Sequence, residues 1–391
     1  MLNSNPAASA APQAPARKPE IPLPTSTQKI ADYSELVKLA GRGLERMFDG
    51  ERQRFCHTMR RARGTLQRES VSPRYTLMTL LGLRRLEQAA GKSPVDVAGV
   101  LGRMTEDLAW IDGAGDLGLL LWAVAVIAPQ RFDEIAEQTG ARDALRRYKD
   151  AGRGYTMELA WYLTGVTCGM LEMNTRPGAF LLAEQADEAF RRLAANQGAR
   201  GIFGHLTAGK SLAGTLRGKI GSFADQVYPI YALARFSRVT ANASGKEALE
   251  RARKCARTIC EHQGPNGEWW WHYDFASGRV AESYPVYSVH QDGMAPMALF
   301  ALAEAAGEDF TAPIRKGLAW ISGQNDLQID MRNLEEGVIW RCLYLPRTER
   351  LLRQLLGSDH GSERVPVEKL KVNFECRPYE LGWALYALAG K

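Results

Sequence analysis

The 391-residue chain is 45% hydrophobic, enough apolar material for a large core, and its net charge of +6 is modest. Its longest apolar run, residues 117–128, spans about 12 residues, whereas a membrane span needs roughly twenty, so a buried helix is expected there and a spanning one is excluded. The cysteines (Cys56, Cys168, Cys255, Cys260, Cys342 and Cys376) are scattered, with no CxxC pair and no Cys/His spacing of a zinc site, which argues against a metal centre and for reduced thiols in the cytoplasm.

In chain order, residues 1–27 are rich in Ala, Pro and Ser, lack apolar periodicity and carry no secretory-type apolar stretch. A disordered lead-in is expected there, followed by a single domain over residues 28–391. An amphipathic helix is expected over 31–48. The next stretch concentrates Arg52, Arg54, Arg60, Arg61, Arg63 and Arg68. It reads as a solvated helix face, the alternative being attraction for an anionic polymer or peripheral contact with a membrane surface. No recognised binding motif accompanies it, so nucleic acid is not expected as a partner.

From there on, apolar helices alternate with amphipathic ones. The apolar helices begin near residues 73, 116, 156, 229, 294 and 378, and the amphipathic ones cover 31–48, 94–108, 131–149, 178–197, 245–263 and 310–323. Pro73, Pro229, Pro296 and Pro378 suit first helical turns, where a missing N–H costs nothing and the fixed φ is already helical. Six helices apolar all round and six with one charged face predict an all-α fold, an (α/α)6 toroid of helical hairpins with an inner ring wrapped by an outer one.

Two segments repeat. Gln197, Gly201 and Phe203 share the pattern Gln-x-x-x-Gly-x-aromatic with Gln263, Gly267 and Trp269, 66 residues later, and a proline follows each glutamine after 32 or 33 residues. The pattern resembles the QW motif of the squalene cyclase and protein prenyltransferase superfamily, whose members fold as α/α toroids. That resemblance implies a structural role for Gln197, Phe203, Gln263 and Trp269. It does not extend to catalysis: there is no DxDD or DDxxD motif, Asp326 and Asp330 are wrongly spaced, and no Asp/Cys/His zinc set is present. No cofactor is expected.

In such a toroid the inner-helix N-termini gather at one mouth, where partial positive charge and unpaired N–H groups suit an anionic ligand. The loop over residues 263–294 is rich in aromatic and titratable groups. His290, at a helix start, is the candidate base, with Asp292 and Tyr287 as catalytic partners. Arg74, Tyr75, Asp225, Tyr228, Trp270, His272, Tyr284, Gln291 and Arg377 are candidate substrate-binding residues, with aromatic faces for stacking on sugar rings. Asp116, Glu158 and Glu336 read as helix caps or ion-paired groups. Residues 204–211 satisfy GxxxxGK[ST], but a helix rather than a buried strand precedes them and a Gly-rich loop follows, so a nucleotide site is not expected. Lys210, Arg217 and Lys219 in that region are read as a cationic loop able to reach over the mouth. Three functions remain open: an enzyme acting on an acidic carbohydrate by lyase, epimerase or hydrolase chemistry, an isoprenoid-handling enzyme, and a non-catalytic scaffold. The sequence leaves the oligomeric state open.

Overall fold

The computed structural model describes residues 33–147, 155–172, 179–206, 219–349 and 365–391. The expected lead-in, together with Lys210 and Arg217, lies outside the described residues. From Tyr33 to Lys391 the chain forms one compact unit. Six helices form an inner ring: α2 (Pro73–Ala90), α4 (Ala114–Ile127), α7 (Thr156–Glu172), α9 (Ala224–Val239), α11 (Ala295–Ala306) and α13 (Pro378–Leu388). Each packs on the next in this order, and α13 closes the ring on α2. Outside them run α1 (Ser34–Met47), α3 (Val97–Glu106), the broken pair α5 (Phe132–Gln138) and α6 (Ala144–Arg147), α8 (Ala179–Ala195), α10 (Ala243–Glu261) and α12 (Thr311–Ile321). The predicted (α/α)6 toroid is therefore present, with most predicted helices in place, but α9 starts at Ala224, so Pro229 sits inside the helix rather than in its first turn.

Composition decides which ring a helix joins. In α4 every residue except Ala114 and Val126 is buried, whereas α10 buries only Gly245, Ala248, Ala252, Cys255, Ala256 and Ile259, a single stripe. Inner helices start sharply: the Ser72 hydroxyl accepts from the Tyr75 N–H ahead of Pro73 in α2, and Pro378 opens α13. The ring closes at a glycine pair. A Cβ on Gly82 of α2 would lie 2.0 Å from the Gly382 carbonyl oxygen of α13, so any larger residue forces the seam apart. Residues 131–149 were expected to form one helix, but the helix ends near Gly140, whose φ of +58° is left-handed.

The two repeated motifs adopt the same geometry. Gln197 Nε2 donates to the carbonyls of Gly201 and, in the next outer helix α10, Arg251; Gln263 Nε2 donates to those of Gly267 and, in α12, Pro313. Phe203 and Trp269 are both fully buried. Their backbone N–H groups donate to equivalent inner-ring glutamines, Gln226 and Gln291. Gly201 and Gly267 sit at φ +91° and +103°, pressed against Lys254 and Lys316, which explains why glycine recurs. Each glutamine thus ties one outer helix end to the next. Gln263→Ala is expected to lower stability by about 1–3 kcal/mol, read as a lower urea midpoint with unchanged slope.

Another expectation fails. The arginine-rich stretch is not a helix face but a hairpin, β2 (Arg54–Ala62) paired with β3 (Thr65–Val71), and β2 also pairs with β1 (Phe48–Asp49). Arg63 and Gly64, both at positive φ (+51° and +83°), make the two-residue turn that fits strand twist. Its charges are largely spent within the chain: Arg52 on Asp49, Arg60 on Glu69 and Glu375, Arg61 on Glu336, and Arg68 on the Phe48 carbonyl. The connections into the inner helices carry further short strands that composition did not announce. These are β4 (Ile220–Ser222), β5 (His272–Asp274) and β6 (Val280–Glu282) in one sheet, and β7 (Val286–Tyr287), β10 (Cys342–Tyr344) and β11 (Lys371–Asn373) in another. A pair, β8 (Arg332–Asn333) with β9 (Val338–Ile339), and β12 (Glu375–Cys376), which joins β2, complete the set.

Candidate functional site at the toroid mouth

First-turn residues of the inner helices touch one another around the ring, so all six N-termini meet at one end. Arg74 of α2 donates to Asp116 of α4 (2.7 Å) and Glu158 of α7 (3.2 Å). The Met157 N–H of α7 donates to Asp225 of α9. Phe223, just before α9, lies against His290 of the π-helical turn His290–Met294 that leads into α11, and Tyr75 of α2 meets Tyr379 of α13. A π-turn of this kind is a common feature of functional sites.

One wall of the mouth is cationic. Arg341 and Arg377 donate to the same oxygen of Glu375, and Arg60 of β2 donates to the other. Arg341 and Arg377 hold Glu375 below the usual carboxylate range, despite its burial, and Arg60 adds a third guanidinium to the carboxylate. They also leave a positive surplus. Arg377 donates to the Tyr75 hydroxyl (2.7 Å), His57 stacks on the Tyr75 ring at 5.0 Å, and Arg341 lies over the Tyr287 ring at 5.4 Å. Backbone pairing fixes this wall: the Arg341 N–H donates to the Glu375 carbonyl, and the Ser288 N–H to that of Arg341.

The facing wall is acidic. Arg74 holds Asp116 and Glu158 on one guanidinium, and burial pushes the Glu158 carboxyl up in spite of it. Beside them His205 Nδ1 lies 2.8 Å from Asp225 Oδ2. Asp225 is fully buried and also accepts from Ser222 and the Met157 N–H, so it is fixed, whereas His205 is 35% exposed. A buried carboxylate behind an accessible imidazole sets its orientation and tautomer. A second pair, His272 with Glu282 at 2.8 Å, stands where Trp271 stacks on His272 and meets Tyr287 edge-on.

Under the mouth lie His290, Asp292 and Glu380. His290 is 5% exposed, and burial lowers its pKa to about 3, so it stays neutral. Asp292 and Glu380 are both fully buried. Among the described residues neither Asp292 oxygen has a hydrogen-bond partner, nor does Glu380 Oε1. Burial pushes both carboxyls well above their usual range, with repulsion from Asp292 adding to it at Glu380, so they stay protonated where ordinary carboxyls ionise. The stability consequence has a definite sign. A folded-state pKa above the unfolded value of about 3.9 favours folding at low pH and loses that contribution as pH rises through the folded value. Asp292→Asn is therefore expected to match wild type near about pH 4 and to become progressively more stable than it toward about pH 8. Thermal unfolding of both proteins across that range checks this; a gap independent of pH would contradict it.

Below this layer the barrel axis is filled by aromatic rings. Tyr228 packs edge-on against Trp161 and on Trp383 at 6.1 Å; Trp383 meets Trp122 at 5.5 Å; Trp122 stacks on Tyr231 at 5.1 Å and meets Tyr386 at 5.5 Å.

Of the residues singled out from sequence, Arg74, Tyr75, His272, Tyr287 and Arg377 line the mouth, Asp225 is buried behind His205, and His290, Asp292 and Tyr228 lie beneath it. Three others stand apart. Gln291 is buried and clamps the Trp269 backbone as Gln226 clamps Phe203. Trp270 donates to the His262 carbonyl, and Tyr284 packs on Trp270 and donates to Asp326 at 2.5 Å, so both belong to the loop packing near α12. The carboxylates stand in separate settings: Asp292 faces Glu380, Asp225 serves His205, and Glu375 is held by arginines. Sequence reasoning missed His57 and His205. The strand alternation in RFCHTM, and the closeness of His205 to the Phe203 motif, were the available signals. Among the described residues no group of three or more His, Cys, Asp or Glu is arranged to hold a metal ion, and no helix is long and apolar enough to cross a membrane.

No family model matches the chain, and no curated protein matches it. Solved structures do. The chain is similar to the unsaturated glucuronyl hydrolase from Bacillus sp. GL1, responsible for the degradation of glycosaminoglycan, with a TM-score of 0.56 and 16% identity over 91% of this chain and 94% of that one. It is similar to the unsaturated glucuronyl hydrolase from Streptococcus agalactiae, with a TM-score of 0.58 and 13% identity over 92% of this chain and 90% of that one. A sugar epimerase from a ruminal bacterium follows the same course, with a TM-score of 0.57 and 12% identity over 91% of this chain and 98% of that one. These likenesses establish the α/α-toroid class. The particular structures it resembles are named as sugar enzymes, not as the cyclases and prenyltransferases that the repeated motif brought to mind.

Proposed function

We propose that the chain is an enzyme acting on an acidic carbohydrate at the mouth of the toroid. The observation that carries this reading is the sharing of one carboxylate, Glu375, by Arg60, Arg341 and Arg377, next to the rings of Tyr75, Tyr287 and His57. A substrate carboxylate completes the charge balance that Glu375 leaves open, and the rings offer faces for a sugar. Across the mouth, His205 oriented by Asp225 is the accepting base, and Glu158, its carboxyl raised by burial, is the proton donor. Neutralising a uronate carboxylate acidifies the carbon beside it, so this layout suits elimination or epimerisation. Glu158 and Asp116, bridged by Arg74, equally suit acid-assisted cleavage of a glycosidic bond. The names of the similar solved structures support the substrate class. The isoprenoid reading loses support, because a prenyl chain needs an apolar shaft and the barrel axis is occupied by Tyr228, Trp383 and Trp122. Six free thiols, five of them buried, support the cytoplasmic setting read from the sequence.

The test is incubation of the purified chain with polyuronates and with unsaturated uronyl oligosaccharides, following three readouts together. A lyase creates the ultraviolet absorbance of a C4=C5 double bond, a hydrolase releases reducing ends, and an epimerase exchanges a carbon-bound proton with deuterated solvent without cleavage. Turnover in one of them, lost in His205→Ala, is the expected result. No turnover on any acidic saccharide, with turnover on a neutral one, would overturn the reading.

A further inference from the structure

At the opposite end of the barrel, below the aromatic column, residues of α2, α9, α11 and α13 line a cavity of about 430 Å3. Arg85 of α2, Arg235 and Arg238 of α9, and Lys391 after α13 line it, with Glu304 of α11 as the acidic side chain. Glu304 is taken by Arg238. Of the other three cations, Arg235 shares the field of Glu304 and its buried Nε has no hydrogen-bond partner among the described residues, Arg85 lies over the Tyr386 ring at 5.1 Å, and Lys391 lies over the Phe300 ring at 5.0 Å. The hydroxyls of Tyr231 and Tyr386, 2.6 Å apart, add a donor beyond the one they spend on each other.

Helix dipoles do not account for this set. Their influence is confined to the last turn, and Arg85 stands five residues before the end of α2 and Arg235 four before the end of α9. Nor does the proposed substrate site, since Tyr228, Trp383 and Trp122 separate the two ends. Four cations share one acidic side chain here, and a multiply charged anion relieves the repulsion among them.

We propose that this cavity binds a small phosphate-bearing anion, either free inorganic phosphate or pyrophosphate or the phosphate of a small metabolite. A phosphate carries a charge near −2 and several acceptor oxygens, which three cations from three elements and a tyrosine hydroxyl match better than a single carboxylate does. The volume is that of a small-molecule site, and Phe300, Met297 and Ala301 give an apolar side for whatever the phosphate is attached to.

Trp122 stacks on Tyr231 and meets Tyr386, so occupancy should be visible in tryptophan fluorescence. The experiment titrates the full chain with inorganic phosphate, pyrophosphate and a sugar phosphate at low ionic strength, against chloride at matched ionic strength, and repeats the series by thermal unfolding. Saturable quenching and a raised unfolding temperature are expected. Both weaken at least about tenfold in Arg85→Gln and in Lys391→Gln, exposed positions whose replacement leaves the core intact. Arg341→Gln at the mouth leaves them unchanged. Preference for the sugar phosphate over inorganic phosphate identifies a metabolite site; equal affinity identifies a site for free phosphate. No saturable response beyond chloride overturns the proposal, as does a response lost in Arg341→Gln but kept in Arg85→Gln, which would place the anion at the mouth. Neither outcome touches the proposed carbohydrate activity, which is read with different ligands.

Discussion

Trp383→Ala is expected to lower stability by about 3–5 kcal/mol, the largest effect of any single truncation in the barrel. Trp383 is fully buried, and its ring joins Tyr228 above to Trp122 and Tyr386 below. Its Cβ also lies where the π-turn comes closest to α13, since a Cβ on Gly293 would approach it within 2.7 Å. Removing the indole leaves a void walled by rings from facing helices, which cannot collapse inward because each is fixed by its own helix. Urea unfolding of the variant should show a lower midpoint at unchanged slope. Trp270→Ala, at a partly exposed ring in the outer loop packing, should cost markedly less. Equal losses would mean that the column is not the core of the barrel.

The second large effect concerns activity. Arg341→Met and Arg377→Met remove charge while keeping most of the side-chain volume, and each is expected to lower kcat/KM on the acidic substrate about 10²- to 10³-fold, on the order of 3–4 kcal/mol of transition-state stabilisation. Arg103→Gln on the outer face, where Arg103 pairs with Glu106, should leave kcat/KM unchanged. Unaltered kcat/KM in both mouth variants would remove the cationic wall from the account.

Why the framework was legible in sequence and the site only partly so has a physical explanation. Helix starts at Pro73 and Pro378, the apolar run in α4 and the paired glutamines Gln197 and Gln263 are local signals, each confined to a turn or a repeat. The site depends on residues far apart in the chain. Arg60 and Glu375 are separated by 315 residues, and Arg377 reaches Tyr75 across 302. No spacing rule joins such partners; only closure of α13 on α2 does. The arginine stretch was misread because its charge masked a strand alternation and a turn at Arg63 and Gly64. Asp292 and Glu380 look like ordinary first-turn acids, and only the inward face they occupy makes them buried. His290 was found for its position at a helix start, yet the force that keeps it neutral is desolvation by Phe223, Tyr287 and the loop above.

The central claim is that the mouth selects a negatively charged sugar. Its most direct measurement compares kcat/KM for matched pairs of oligosaccharides that differ only in carrying a uronate carboxylate or its neutral methyl ester. The account predicts a strong preference for the carboxylate, falling toward parity in Arg341→Met and Arg377→Met. Equal turnover of the two members of a pair by the wild-type chain would contradict it.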